Sequence, residues 1–409
     1  MPIKVYIFIG FENMYIFLLI IIYITFISLG LPDSILGSAW PTMYKSLDIP
    51  ISYLGIITMI ISFGTIVSSV FSNKFTTKFT TRTVVIASVF LTVVALVGFS
   101  LSKNFYMLIL FSIPYGLGAG AIDAALNNYV ALHYKAKHLS WLHCFWGVGT
   151  IISPFVMGKA LQNSTWNQGY QIVGLIQLGI FVFLLITIPV WKYNSFNGRN
   201  DNDDKKTNVG IRSALKIKGV IFILIGFFSY CSLEASTSQW ASTYFVQVKG
   251  LSEDNAASLA SLFFIGITFS RFLSGFLTDK LKDQKMIIIG SSIILLGIII
   301  LLLPIDSYIS ALVAFITIGF GCGPIYPSII HSTPINFGEE NSGAIIGIEM
   351  SSAYIGSTFM PPLFGVLGKV INFKILPIYL LCFLVLIVLM TNTTFYKVKK
   401  NKTIDNFSK

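Results

Sequence analysis

A chain of 409 residues that is 55% hydrophobic and 11% charged, with a mean hydropathy of +0.78, falls far below the roughly 25% charged residues of an ordinary soluble domain. It has too much apolar surface to hide in water, which excludes a soluble enzyme or binding domain and predicts a polytopic membrane protein. The net charge of +11 does not point to nucleic acid, because the basic residues lie between the apolar runs and do not cluster on one soluble unit.

Those runs are long and continuous, unlike the alternating segments of about ten residues in membrane barrels, so the expected fold class is all-α. They predict twelve transmembrane helices, at 13–42, 52–72, 84–102, 105–130, 139–160, 170–191, 218–246, 256–278, 286–304, 308–331, 342–367 and 374–396. The first run is long enough to span, and no small-residue cleavage site follows it, so it is expected to stay as an uncleaved anchor. The first, seventh and eleventh exceed about twenty residues and are expected to tilt or bend.

Of the 28 basic residues, the odd-numbered connections on one side hold only Lys45, Lys103, Lys159, Lys249, Lys369 and Lys374. Arg271 lies inside a span, and the rest fall at the termini and in the alternate connections, including Lys74, Lys78, Arg82, Lys135 and Lys137. An excess of this kind places both termini in the cytoplasm. The stretch from Lys192 to Lys218, with its mixed charge and few apolar residues, reads as a cytoplasmic linker without a fold of its own. The expected organisation is therefore a six-helix half at 1–192, a linker at 193–217, a second six-helix half at 218–396, and a basic tail at 397–409.

The two halves match in register. Asp33, Trp40 and Tyr44 in span 1 answer to Glu234, Trp240 and Tyr244 in span 7. Gly116-Leu-Gly-Ala-Gly120 in span 4 answers to Gly319-Phe-Gly-Cys-Gly323 in span 10, and Gly149 with Pro154 answers to Gly356 with Pro361. This is the pattern of two parallel repeats about an axis along the membrane normal. The glycines lack the spacing of a nucleotide loop and are expected to let helices approach closely.

Four acids fall within spans: Asp33, Asp123, Glu234 and Glu349. An ionisable residue in hydrocarbon is costly and marks a substrate or ion pathway, or else a hydrogen-bonded packing residue. Burial favours the neutral form of a carboxyl group, so acids in such positions suit a carrier that exchanges protons. Asp123 and Asn127 are one helical turn apart and share a face, with Asn128 beside them. His143 opens span 5 and is a candidate partner for Asp123 or for substrate hydroxyls. Trp40, Trp240, Trp141, Trp146, Tyr115 and Tyr326 are candidate cavity aromatics or interface anchors. His133 and His138 are expected in solvent, His331 is ambiguous, and the four cysteines are expected to be buried thiols with no metal-like spacing.

After span 8, Arg271, Gly275, Asp279 and Lys280 resemble the loop signature of the major facilitator superfamily. The loop after span 2 keeps the basic residues but lacks the glycine and the acid. Within that superfamily, Gly118-Ala-Gly-Ala-Ile-Asp-Ala-Ala-Leu-Asn-Asn-Tyr-Val130, Leu142-His-Cys-Phe-Trp-Gly-Val-Gly149, Gly30-Leu-Pro-Asp33 and Tyr230-Cys-Ser-Leu-Glu234 resemble the fucose-permease-like branch of sugar:proton symporters. The resemblance implies the twelve-helix fold in two pseudo-symmetric halves, with Asp33 and Asp123 as proton-coupling acids. Asp123 stands where fucose permease has the longer glutamate, and Glu234 is absent there, so the resemblance does not carry fucose over as the substrate.

The expected site is then Asp33, Trp40, Asn127, Asn128, His143, Glu234, Gln239, Trp240, Tyr326 and Glu349 for substrate, with Arg271, Gly275, Asp279 and Lys280 as a gating loop. No cofactor or metal site is expected. The expected partners are a small-molecule substrate (a sugar being favoured), a coupling proton with sodium as the alternative, and the bilayer of a bacterial cell membrane, with the chain a monomer. The competing readings are a proton-driven exporter of drugs or metabolites and a non-transporting receptor in the same fold. An enzyme is disfavoured because no nucleophile triad, phosphate loop or metal cluster is visible in the sequence.

Overall fold

The computed structural model describes residues 11–50, 53–163, 165–191, 210–251, 259 and 262–407. Among these residues every regular element is a helix, as a backbone in hydrocarbon requires when no water can satisfy its polar groups. The helices are α1 (Phe11–Ser46), α2 (Leu54–Phe79), α3 (Thr81–Leu101), α4 (Phe105–His133), α5 (Ala136–Asn163), α6 (Trp166–Ile186), α7 (Ile211–Lys216), α8 (Val220–Lys249), α9 (Leu262–Leu277), α10 (Asp283–Leu302), α11 (Tyr308–Cys322), α12 (Ile325–Phe337), α13 (Glu339–Val370) and α14 (Leu376–Phe407). Each of the twelve expected spans has its helix. Ten helical stretches are long and apolar enough to cross a membrane, and α9 is a shorter apolar helix. The start of the expected eighth span lies outside the described residues.

Three elements differ in detail from the expected ones. The tenth span is one apolar stretch, Tyr308–Phe337, built of two helices, α11 and α12, because Pro324 has no N–H to continue the ladder. They are joined end to end through Gly323 and Pro324, both of which keep right-handed helical geometry. The described end of the linker forms the short helix α7, which buries Ala214. The tail is not separate from the last span, since α14 runs on through Lys397, Lys399 and Lys400 to Phe407.

The chain clusters into two compact units, Met1–Leu126 with Leu142–Asn208, and Asn127–Trp141 with Val209–Lys409, so far as their residues are described. In the first unit, Leu31, Ile35, Leu36, Trp40, Leu96, Phe99, Tyr170 and their neighbours form an apolar core. Three serines of α2 stitch it to α4: Ser68, Ser69 and Ser72 donate to the carbonyls of Gly116, Gly120 and Ala121 at 3.3, 3.0 and 3.1 Å.

The repeat glycines do equivalent work in the two units. A Cβ on Gly116 would meet the carbonyl of Ile61 on α2, and one on Gly319 would meet the carbonyl of Phe263 on α9. A Cβ on Gly149 would meet the carbonyl of Ile27 on α1, and one on Gly356 would meet that of Phe228 on α8. The sequence match is thus a match of helix contacts: α2 with α4 repeats as α9 with α11, and α1 with α5 as α8 with α13.

Candidate functional site

In the first unit the polar centre is Asp33 on α1. Its Oδ1 accepts a hydrogen bond from the Tyr115 hydroxyl of α4 at 2.8 Å, and its Oδ2 accepts one from the Trp146 indole N–H of α5, also at 2.8 Å. Three helices therefore hold one carboxyl group, and both donors are neutral. The residue itself is exposed. The local sequence explains the fit. Gly30, one turn before Asp33, lets α5 approach so closely that a Cβ there would fall on the carbonyl oxygen of Trp146. Ser34 donates to the Thr150 carbonyl at 2.7 Å and Ser153 donates to the Leu31 carbonyl, which fixes α5 along α1 and aims the indole.

Asp123 lies on α4 two turns beyond Tyr115, about 12 Å along the helix at 1.5 Å per residue. It is 5% exposed, and Asn127, on the same face, is fully buried. His143 is buried on α5 with its ring edge-on to Phe26 at 5.4 Å. Trp40 is 3% exposed and belongs to the apolar core.

In the second unit the centre is an ion pair. Arg271 of α9, 3% exposed, lies 3.4 Å from Glu234 of α8. The Tyr326 ring of α12 sits with its centroid 5.9 Å from the guanidinium carbon, and the Tyr230 hydroxyl donates to the Cys322 carbonyl at 3.0 Å. Sequence spacing grouped Arg271 with the gating loop, but it lies within α9, whereas Asp279 lies in the turn after that helix ends at Leu277. A buried cation needs an acid beside it, and Glu234 supplies one.

Glu349 on α13 is fully buried against Thr333. Trp240 is half-buried, donating its indole N–H to the Pro361 carbonyl at 2.8 Å and packing on Phe364 and Phe373, whereas Gln239 is exposed.

The other residues of the expected gating loop lie in the same unit as residues 127–141. Asp279 is 3.9 Å from Lys137, and Lys137 lies 5.7 Å from the Trp141 ring centroid. A Cβ on Gly275 would strike the Trp141 indole, and the Ser342 hydroxyl is 2.8 Å from Asn128 Oδ1. Lys280 is exposed.

Two histidines expected in solvent are half-buried instead. His133 stacks on Tyr129 at 4.2 Å, and His138 lies between Tyr134 and Trp141, because neighbouring aromatics cover both rings. His331 pairs with Asp283 at 2.8 Å. Of the cysteines, Cys231 and Cys322 are buried, Cys144 is intermediate and Cys382 is exposed on α14. Sequence reasoning passed over Thr333, whose only signal is its place beside Pro334, and the pairing of Lys137 with Asp279.

The profile of the Major Facilitator Superfamily matches residues 22–361. The chain is 20% identical over 408 aligned positions to "Bypass of stop codon protein 6" of Saccharomyces cerevisiae, covering 91% of this chain and 81% of that protein. It is 23% identical over 288 positions to the glucose/mannose transporter GlcP of Bacillus subtilis, covering 66% and 68%. Among solved structures it is similar to the transporter FucP in its outward conformation, with a TM-score of 0.77 at 15% identity over 93% of this chain and 99% of FucP. It is also similar to the proton:xylose symporter XylE, with a TM-score of 0.75 at 13% identity over 91% and 94%. With its helical architecture, its repeated glycine contacts and a family match over most of its length, this chain belongs to the major facilitator superfamily and is a multi-pass membrane transporter, not an enzyme.

Proposed function

We propose that this transporter takes up a sugar or a similar neutral polar solute together with a proton, by alternating access between the 1–192 and 218–396 halves. The observation that carries the reading is the Asp33 carboxyl group, set within a membrane helix, exposed, and held on both oxygens by the neutral donors Tyr115 and Trp146. A carboxyl group with no cation bound to it in this group can accept a proton, and the hydroxyl, indole and ring faces around it suit a hydroxylated ring. The sugar carriers among its relatives support the substrate class.

In this reading Asp123 carries the coupling proton, and Asn127 and His143 support it. Glu234 with Arg271 and Tyr326 contributes from the second half, and the Lys137, Trp141, Gly275 and Asp279 group closes one face of the carrier. Both termini lie in the cytoplasm of a bacterial cell, and the chain acts as a monomer.

The test is external pH in lightly buffered cells expressing the protein, with sugars added one at a time. Alkalinisation specific to one sugar in wild type, lost in Asp123→Asn and in Asp33→Asn, is the expected result. No response to any sugar would sink proton–sugar symport. A response unchanged in Asp123→Asn would remove that residue from coupling.

A further inference from the structure

Glu349 is fully buried on α13, and its surroundings allow a hydrogen count. The Thr333 hydroxyl oxygen lies 2.8 Å from one carboxyl oxygen and 3.0 Å from the other, and 3.2 Å from the Ile329 carbonyl on its own helix. That hydroxyl has one hydrogen. If Glu349 were ionised, three oxygens would compete for it and at least one charged oxygen would be left with no donor. Among the described residues no Lys, Arg or His stands within ion-pair distance of Glu349. A desolvated carboxylate with neither a cation nor a full set of donors is among the costliest arrangements in a protein interior. With a proton on Glu349 each hydrogen has an acceptor and no charged oxygen is left bare: the carboxyl O–H donates to the Thr333 oxygen, and the Thr333 hydroxyl donates to the Ile329 carbonyl.

Six titratable side chains on the helices packed against α13 are engaged with other partners. Glu234 faces Arg271, the Tyr230 hydroxyl donates to the Cys322 carbonyl, and the Tyr326 hydroxyl meets the Met350 sulfur at 3.1 Å. His331 pairs with Asp283, the Tyr379 hydroxyl donates to the Met360 carbonyl, and Lys397 lies over the Phe222 ring. Pro334, next to Thr333, interrupts the α12 ladder and gives that helix a place to bend.

We propose that Glu349 is a further proton site, in the second unit, holding a proton in this conformation and releasing it to water when α12 and α13 part. The O–H bond breaks, the proton leaves with water, and the carboxylate stays on α13. The carrying role rests on the proton-coupled transport proposed above, whereas the resident proton does not.

The test uses the full chain reconstituted in liposomes. Infrared spectra of wild type and Glu349→Gln are compared at neutral pH with no substrate. A protonated-carboxyl carbonyl band that shifts on deuteration and is missing from Glu349→Gln is the expected result. Its absence from wild type would overturn the resident proton. Glutamine can donate an N–H to Thr333 in place of the acid, so the variant is expected to fold, and an unchanged thermal midpoint checks this.

The second arm follows radiolabelled D-glucose. Glu349→Gln is expected to lose at least tenfold in accumulation driven by a proton gradient. Accumulation unchanged in Glu349→Gln but lost in Asp123→Asn would overturn the carrying role and leave the proposed transport standing. A wild type that never accumulates glucose under a gradient counts against the transport reading, and the infrared arm still decides the resident proton.

Discussion

Asp33 takes its two hydrogen bonds from residues 82 and 113 positions away in the chain. That separation is why the acid was legible in the sequence and its holders were not: an acid in an apolar run shows itself, whereas its donors are chosen by helix packing. The same limit applied to Arg271, where spacing along one helix suggested a loop role and packing against α8 gave it an acid. Hydrogen bonds to a charged group contribute about 1.5–3 kcal/mol each. Tyr115→Phe and Trp146→Phe each remove one donor and keep the ring. Each is therefore expected to change the apparent affinity for the proposed sugar substrate or the proposed coupling proton by about tenfold to a hundredfold, with the fold intact. Uptake kinetics across external pH would show it. Wild-type kinetics in both variants would mean that Asp33 neither binds nor couples.

The helices themselves were the most legible part, because a run of twenty apolar residues has few other solutions in a bilayer. Their ends and breaks were less so. The break between α11 and α12 falls at Pro324, one of three prolines in that stretch with Pro327 and Pro334, and the length of α14 depends on polar residues that read equally well as tail. The glycine repeat was visible as a pattern, but its meaning, backbone against backbone, came only with the contacts. Gly149→Ala forces a Cβ onto the Ile27 carbonyl of α1. Overpacking of this kind costs about 1–3 kcal/mol. Gly179→Ala on α6 meets nothing within 4 Å and is expected to be neutral or to gain up to about 1 kcal/mol from helix propensity. Melting of the two variants in detergent should therefore move in opposite directions or differ by several degrees. Equal midpoints would show that the α1–α5 contact does not limit stability.

At the scale of the whole molecule, the distribution of basic residues predicts the orientation. If both termini are cytoplasmic, a fluorescent protein fused after residue 409 should fold and emit, and alkaline phosphatase at the same place should stay inactive. The reverse pair of results would invert the topology and the direction assigned to every connection. The sequence carried this expectation through the unequal distribution of lysine and arginine. It could not show that residues 127–141 group with the second unit, because that grouping rests on contacts such as Lys137 with Asp279 and Asn128 with Ser342.

The last helix offers a physical handle. With 32 residues, α14 is about 48 Å long at 1.5 Å per residue, against a hydrocarbon layer of about 30 Å. Roughly three turns therefore stand clear of hydrocarbon as a stiff rod continuous with the membrane-embedded part. A spin label or dye placed on the described part of that rod, at Lys399 for example, would swing with α14 instead of wandering on a tether. A few degrees of helix tilt would then be magnified into a displacement at the label, making the end of α14 a lever arm for recording transport in single molecules.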